Sequence, residues 1–102
     1  MCVIDNGRMI ISYKSVYDAL DAIKNHTLDA LLKKGHGSFV SSHEILGTLA
    51  EEYHEVIEAV KLNDLRSIRD ELLDVATVCH FAIACIDDEA LHWPAPETEG
   101  KL

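Results

Sequence analysis

Two successive segments of the chain have apolar residues at helical spacing, and a single short break separates them. Ser41 and Glu44 have the spacing of a capping box, which predicts a helix from Ser41 to about Leu62. Asn63-Asp64 predicts a tight break that also caps a following helix, which runs to about Ile86. Two helices joined by so short a turn form an antiparallel hairpin. The chain is therefore predicted to be all-α.

A further helix precedes this hairpin. Helical spacing begins at Ser15, which can cap the helix together with Asp18, and Gly35 ends it, so we predict a helix over 15–34. Its apolar positions and those of the next two helices define an antiparallel bundle of three main helices.

The first residues have a different pattern. Two short apolar runs flank Asn6-Gly7, the preferred pair for a two-residue turn, which predicts a short β-hairpin. A loose arm is the alternative interpretation. We divide the chain into an N-terminal arm or hairpin (1–14), a helical domain (15–86) and an acidic, proline-containing tail (87–102).

The composition restricts the partners and the compartment. The net charge is -9, which argues against nucleic acid or an anionic membrane as a partner but leaves a nucleotide possible if divalent cations bridge it to carboxylates. Asp5 and Arg8 interrupt the N-terminal apolar stretch, so we expect no signal peptide, and no uncharged run is long enough to span a bilayer. Three cysteines indicate a reducing compartment, with Cys79 and Cys85 expected to be small buried apolar residues. We expect a cytoplasmic protein.

Carboxylates interrupt the apolar faces of both hairpin helices. Glu52 projects within the apolar arc of the first of these helices, and Glu55 lies at the edge of that arc. On the second helix, Glu71 and Asp74 project between apolar residues, where the core is expected. Each pair has i, i+3 spacing, which puts both side chains on one face. An ionised carboxylate among apolar residues requires a compensating positive charge.

Ion pairs with lysine or arginine are one source of that charge. The predicted hairpin contains only three basic residues against nine acidic ones, so ion pairs alone cannot neutralise the acids. Exposure to solvent is the other ordinary alternative, and it fits Glu51 and Glu58 but not Glu71. We therefore predict a metal site formed by Glu52, Glu55, Glu71 and Asp74.

The ligand type indicates which metal binds. Carboxylate oxygens suit Mg²⁺, Mn²⁺ or Ca²⁺, and Mg²⁺ is favoured because it accepts a few carboxylates together with water and substrate phosphates, with Mn²⁺ able to replace it. A carboxylate-bridged di-iron bundle is an alternative, since Glu51 and His54 form one Glu-x-x-His pair. The following helix offers no second such pair, and His54 projects towards solvent.

The acids also form a motif. Glu51-Glu52-Tyr53-His54-Glu55, followed after fifteen residues by Glu71-Leu72-Leu73-Asp74, resembles the EExxE…ExxD signature of MazG-like nucleotide pyrophosphohydrolases, in the all-α NTP pyrophosphatase superfamily. The resemblance implies hydrolysis of a nucleoside triphosphate to the monophosphate and pyrophosphate. It also implies that the four predicted ligands hold Mg²⁺, and that Glu51 orients a ligand or assists the attacking water.

The chain departs from this family after the second motif. Many relatives continue with a helix that contacts substrate phosphate through Lys, Arg and Asn, whereas this chain continues with an acidic tail. Lys33, Lys34 and His36 are the nearest candidates for binding the substrate. For the two lysines, interaction with the helix C-terminus is an equal alternative. A helical interaction module that keeps the acids without catalysis is therefore a second functional hypothesis.

The last predicted helix also bears on assembly. Its apolar arc covers about half of its circumference, which exceeds the stripe of roughly 100° typical of a surface helix. Three helices of this size cannot bury the whole arc. We therefore predict a homodimer or homotetramer in which a second copy completes the bundle.

Overall fold

The computed structural model describes residues 4–91, which form three long helices preceded by a two-stranded hairpin. The predicted all-α class is confirmed. Residues 2–3 of the predicted first strand and residues 92–102 of the predicted tail lie outside the described part. The elements are β1 (Ile4–Asp5), β2 (Arg8–Met9), α1 (Tyr13–Lys34), α2 (Ser42–Leu62) and α3 (Leu65–Asp87).

The Asn-Gly pair forms the turn that the sequence predicts. Asn6 has φ 54° and Gly7 has φ 75°, and positive φ at both central residues is what a type I′ turn requires. The two strands are antiparallel, with Ile4 opposite Met9. Their side chains are exposed, so nothing in the described chain covers this hairpin.

Helix α1 begins two residues earlier than predicted. The N-cap is Ser12, whose Oγ accepts a hydrogen bond from the backbone N–H of Ser15 at 3.0 Å. The prediction of Ser15 as the cap is therefore wrong, because a second serine lies three residues upstream in the right geometry. The helix ends at Gly35, whose φ of 90° disfavours any residue with a Cβ.

Local capping defines both helices of the hairpin. The Oγ of Ser41 accepts from the N–H of Glu44 at 3.2 Å, as predicted, while the Glu44 carboxylate accepts from Val40 N–H. At the break, Asn63 takes the left-handed conformation and ends α2. Asp64 caps α3 by accepting hydrogen bonds from the first turn of that helix. The end of α2 and the start of α3 are therefore set by adjacent residues, Asn63 and Asp64, so the two helices fold back on each other.

Helix α3 lies at the centre of the molecule. It packs against α2 on one side and α1 on the other, whereas α1 and α2 have no packing contact within residues 4–91. Few apolar side chains are buried as a result; among the described residues these are Ala59, Ala82 and Cys85. The radius of gyration is 17.3 Å, against about 13 Å for a compact chain of this size.

An apolar stripe on α3 remains uncovered because two helices enclose only part of its circumference. Leu72, Cys79, Ile83 and Ile86 follow one face of the helix and are all exposed. Burial of Cys79 was expected from the sequence and is not observed. A second exposed apolar row on α2 contains Leu46, Tyr53 and Val60.

Candidate metal centre

The four predicted metal ligands converge on one point between α2 and α3. Glu52, Glu55, Glu71 and Asp74 each offer a carboxylate oxygen, and these four oxygens lie within 4.8 Å of one another. The cause is the symmetry of the hairpin. Glu55 and Glu71 each lie eight residues from Asn63, and Glu52 and Asp74 each lie eleven residues from it. Residues equally far from the turn of an antiparallel hairpin come to the same level.

Two of these half-buried side chains each have one buried oxygen atom without a hydrogen-bond partner. Oε1 of Glu52 and Oε1 of Glu71 are inaccessible to solvent and accept no hydrogen bond from any described residue. A buried polar atom of this kind is rare in folded proteins and calls for an explanation, such as an unseen ion. Within the described chain, no lysine or arginine lies within ion-pair distance of any of the four acids. The geometry therefore gives no support to compensation by buried basic side chains.

The environment raises the pKa of both half-buried glutamates, Glu52 and Glu71. Burial is the main cause that raises the pKa of Glu52, followed by the negative charges of Glu55 and Asp74, while Lys34 opposes the shift. The pKa of Glu71 is also raised, first by burial and then by the neighbouring carboxyl of Glu55. A shared cation would offset the negative charge that these two glutamates meet in the cluster.

The donor set fits a hard divalent cation. All four ligands are carboxylate oxygens, and they come from two rigid helices rather than from a flexible loop rich in carbonyl groups. Mg²⁺ and Mn²⁺ prefer such oxygen ligands, whereas zinc and copper sites favour His and Cys. The residues present therefore fit a magnesium-type ion, and two of them, Glu52 and Glu71, each have a buried oxygen without a hydrogen-bond partner.

A cavity opens beside the acids in the gap between α1 and α2. Its volume is about 300 Å³, and Glu52 forms part of its wall. Phe39 and Phe81 line it and meet edge to face, with ring centroids 5.4 Å apart at an angle of 61°. Thr48 and Thr77 add hydroxyl groups to an otherwise mostly apolar lining. A flat ring with polar edges is the kind of ligand that such a wall accommodates.

The structure separates the three predicted substrate-binding residues. Lys34 lines the cavity that contains Glu52. Lys33 forms an ion pair with Asp29 at 3.1 Å on the exposed side of α1. His36 lines a neighbouring cavity of about 290 Å³, on the other side of Phe81. Only Lys34 is thus brought to the acids.

Residues of the di-iron alternative lie apart from the cluster. His54 is exposed, with Nε2 4.0 Å from Glu58, and Glu51 is exposed at the edge of the site. The described part of α3 offers no histidine ligand to the four acids. This geometry does not form the paired Glu-x-x-His arrangement that a di-iron bundle uses.

Sequence reasoning missed His26, which it set aside with the other histidines. In the structure its Nδ1 lies 2.9 Å from Oγ1 of Thr77, and its Nε2 lies 3.4 Å from Oδ1 of Asp74. The sequence offered no clear signal, since His26 and Lys34 are eight residues apart and therefore about 80° apart around the axis of α1. That spacing does not reveal which face of α1 meets α3.

Fold and site together define a class: a helical protein with a carboxylate centre suited to a hard divalent cation, next to a ring-sized cavity. The model of the MazG nucleotide pyrophosphohydrolase domain matches residues 40–91, and the chain belongs to this family. The matched segment contains all four acids, whereas His26 and Lys34 precede it.

Other comparisons add little about activity. An uncharacterized protein of Archaeoglobus fulgidus is 46% identical over 41 residues, which is 40% of this chain and 44% of that protein. The match therefore spans less than half of the relative. No solved structure was found to match the chain. Among the described helices, none is long and apolar enough to cross a membrane.

Proposed function

We propose that this chain hydrolyses a nucleoside triphosphate to the monophosphate and pyrophosphate, with Mg²⁺ held by Glu52, Glu55, Glu71 and Asp74. The proposal rests on the convergence of four carboxylate oxygens, which lie within 4.8 Å of one another. Two of the four side chains, Glu52 and Glu71, each also have a buried oxygen without a hydrogen-bond partner. Membership of the MazG nucleotide pyrophosphohydrolase family supports the reaction class.

The cavity beside Glu52 is the proposed nucleoside site. Its wall is formed in part by the apolar side chains of Phe39, Val78 and Phe81, and it adjoins Glu52 of the acid cluster. A base held there would direct its polyphosphate towards the carboxylates. Val78 and Phe81 lie on α3, the helix that also contains Glu71 and Asp74, so part of the cavity wall and part of the acid cluster share one helix.

Lys34 is the proposed phosphate contact of the chain itself. It lines the same cavity as Glu52, and its positive charge partly offsets the burial and the neighbouring carboxylates that raise the pKa of that glutamate. A lysine there would pair with a phosphate oxygen of a substrate whose other oxygens face the cation. Lys33 does not line this cavity and pairs with Asp29 on the exposed side of α1, so we assign the phosphate contact to Lys34 rather than to Lys33.

The four acids contribute position and charge. Their i, i+3 pairs on two facing helices fix the spacing of the ligands before substrate arrives, which reduces the entropy lost on binding. When bound, Mg²⁺ supplies positive charge and Lewis acidity to the polyphosphate, and Mn²⁺ would supply the same. Glu51, exposed at the edge, is proposed to orient a ligand or assist the attacking water.

We also propose that the working form is a homodimer or homotetramer. The exposed stripe of α3 (Leu72, Cys79, Ile83 and Ile86) has spacings of seven, four and three residues, which is the pattern of a helix-packing seam. A second copy packed there would bury apolar surface that the single chain leaves in water. The bundle would then have the closed core that the single chain does not form.

A nucleotide panel tests the proposed reaction. Common and damaged nucleoside triphosphates would be incubated with the purified protein and Mg²⁺, and pyrophosphate and monophosphate would be measured together. Release of both in equal amounts from at least one nucleotide, abolished by EDTA, is the expected result. Release of orthophosphate alone would contradict the assigned bond. Metal binding without hydrolysis of any nucleotide would favour the inert interaction module instead.

A further inference from the structure

Two matched pairs of side chains join α1 to α3. Nδ1 of His26 bonds to Oγ1 of Thr77 at 2.9 Å, and Oγ1 of Thr27 bonds to Nδ1 of His80 at 2.9 Å. In the first pair the histidine lies on α1 and the threonine on α3, and in the second pair the two residue types are reversed. His26 and Thr27 are adjacent on α1, while Thr77 and His80 are one turn apart on α3. Both pairs thus fix the register of α1 on α3.

The two pairs differ in what the second ring nitrogen meets. Nε2 of His26 lies 3.4 Å from Oδ1 of Asp74, one turn before Thr77 on α3. The pair formed by Thr27 and His80 has no such acidic neighbour among the described residues. His26 is therefore in contact with the candidate metal centre, and His80 is not.

Electrostatic attraction assigns the tautomer of His26. An ionised carboxylate attracts an N–H group rather than a nitrogen lone pair, so the ring nitrogen 3.4 Å from Asp74 is the one that bears hydrogen. In the neutral ring Nδ1 is then an acceptor, and the Thr77 hydroxyl donates to it. Thr77 also lines the cavity beside Glu52, so Thr77, His26 and Asp74 form a continuous path from the cavity wall to the acids.

We propose that His26 is a positioning residue that holds Asp74 in the orientation required for metal binding. The inference rests on the proposed function, because Asp74 matters in this way only if the acids bind a cation. Asp74 faces three like charges within 4.8 Å, which would rotate its carboxylate away from the centre. The imidazole N–H attracts one oxygen of that carboxylate and blocks this rotation. Partners of this kind typically change metal affinity by about 10-fold to 100-fold.

The contact of 3.4 Å is an electrostatic contact without hydrogen-bond geometry, so we expect an effect near the lower end of that range. The test is calorimetric titration of Mn²⁺ into the metal-free protein without nucleotide, together with thermal melting in EDTA. His26→Asn keeps a polar group near Thr77 but cannot reach Asp74, and should raise the Kd for Mn²⁺ by about tenfold. His26→Gln extends an N–H donor towards Asp74 and should restore most of the affinity.

His80→Asn is the matched control. It disrupts the same type of bond between the same two helices, so it should lower the melting temperature about as much as His26→Asn does while leaving the Kd for Mn²⁺ unchanged. Equal loss of Mn²⁺ affinity in both Asn variants, or none in His26→Asn, would overturn the proposal and leave His26 as a contact that only docks α1. Failure of the proposed reaction has a different signature, in which the parent binds Mn²⁺ but releases no pyrophosphate. The same comparison of Kd values then still decides the role of His26.

Discussion

Removing one buried charge should stabilise the metal-free protein. Glu52→Gln keeps the volume of the side chain and one acceptor oxygen, and its amide can donate to neighbouring carboxylates. It removes a negative charge from a group whose Oε1 is buried without a partner and whose pKa is raised by burial, then by Glu55 and Asp74. Most substitutions of partly buried residues destabilise a protein, so the opposite sign is a specific expectation.

The magnitude follows from the distances among the acids. Two unit charges 4.8 Å apart repel by about 0.9 kcal/mol at the permittivity of water. Glu52 faces three such neighbours, but it is partly open to solvent and Lys34 offsets part of the repulsion. We therefore expect a net gain of about 1 kcal/mol, which raises the melting temperature of a domain this size by about 4–8 °C.

The gain should depend on pH with a definite sign. A carboxyl whose pKa is raised in the folded state binds its proton more tightly there than in the unfolded chain. Stability of the parent is therefore lost as the pH rises from the ordinary glutamate pKa through the raised value. Glutamine does not titrate, so the advantage of Glu52→Gln should be largest near neutral pH and vanish under acid conditions. Both proteins contain the same histidines, whose contributions cancel in the difference.

Thermal melts in EDTA, from about pH 4 to about pH 8, would measure this difference. Saturating Mg²⁺ should reverse the order, because a ligand at 100 times its Kd adds about 2.7 kcal/mol to the parent and much less to a variant that binds it weakly. Glu58→Gln is the control on the solvent side of α2, where Glu58 contacts Lys61 at 3.3 Å, and it should shift stability by less than about 0.5 kcal/mol. A loss of about 3–5 kcal/mol in Glu52→Gln would refute the reasoning, since that is the cost of breaking a buried ion pair.

Two further results are expected. Lys34→Ala should raise KM for the nucleotide about tenfold, because a hydrogen bond to a charged group contributes about 1.5 kcal/mol or more. Lys33→Ala should leave KM nearly unchanged. Equal effects of the two substitutions in steady-state kinetics would contradict the assignment of Lys34. Analytical ultracentrifugation at micromolar concentration should give at least twice the chain mass of 11.3 kDa, since the α3 stripe is exposed in the single chain. A stable monomer would rule out the proposed seam.

Local chemistry explains why most of the fold was predictable. Caps and breaks act within a few residues, so Ser41, Asn63 and Asp64 place the bounds of α2 and α3 from sequence alone. The same holds for Asn6-Gly7, because its conformational preference is intrinsic. The error at the start of α1 arose where two serines three residues apart both met the local criterion, and only the folded geometry distinguishes them.

The acid cluster was predictable for a related reason. Periodicity puts each i, i+3 pair on one face, and the short turn at Asn63 brings the two faces to the same level. The role of His26 and the difference between Lys33 and Lys34 were not predictable. Both depend on how α1 is rotated about its own axis against α3, which is a property of tertiary packing that no local pattern on α1 specifies. Exposure of Cys79 has the same origin, since it depends on which side of α3 its neighbours leave open.

The most direct test of the account is pyrophosphate release by Glu71→Gln. Glu71 is one of the two acids with a buried, unpartnered oxygen, and its replacement removes a proposed Mg²⁺ ligand without changing its size. With the nucleotide that the parent hydrolyses and saturating Mg²⁺, we expect no detectable pyrophosphate from Glu71→Gln, unchanged helical circular dichroism, and the parental rate from Glu58→Gln. Pyrophosphate release by Glu71→Gln at the parental rate would contradict the claim that these four acids form the active metal centre.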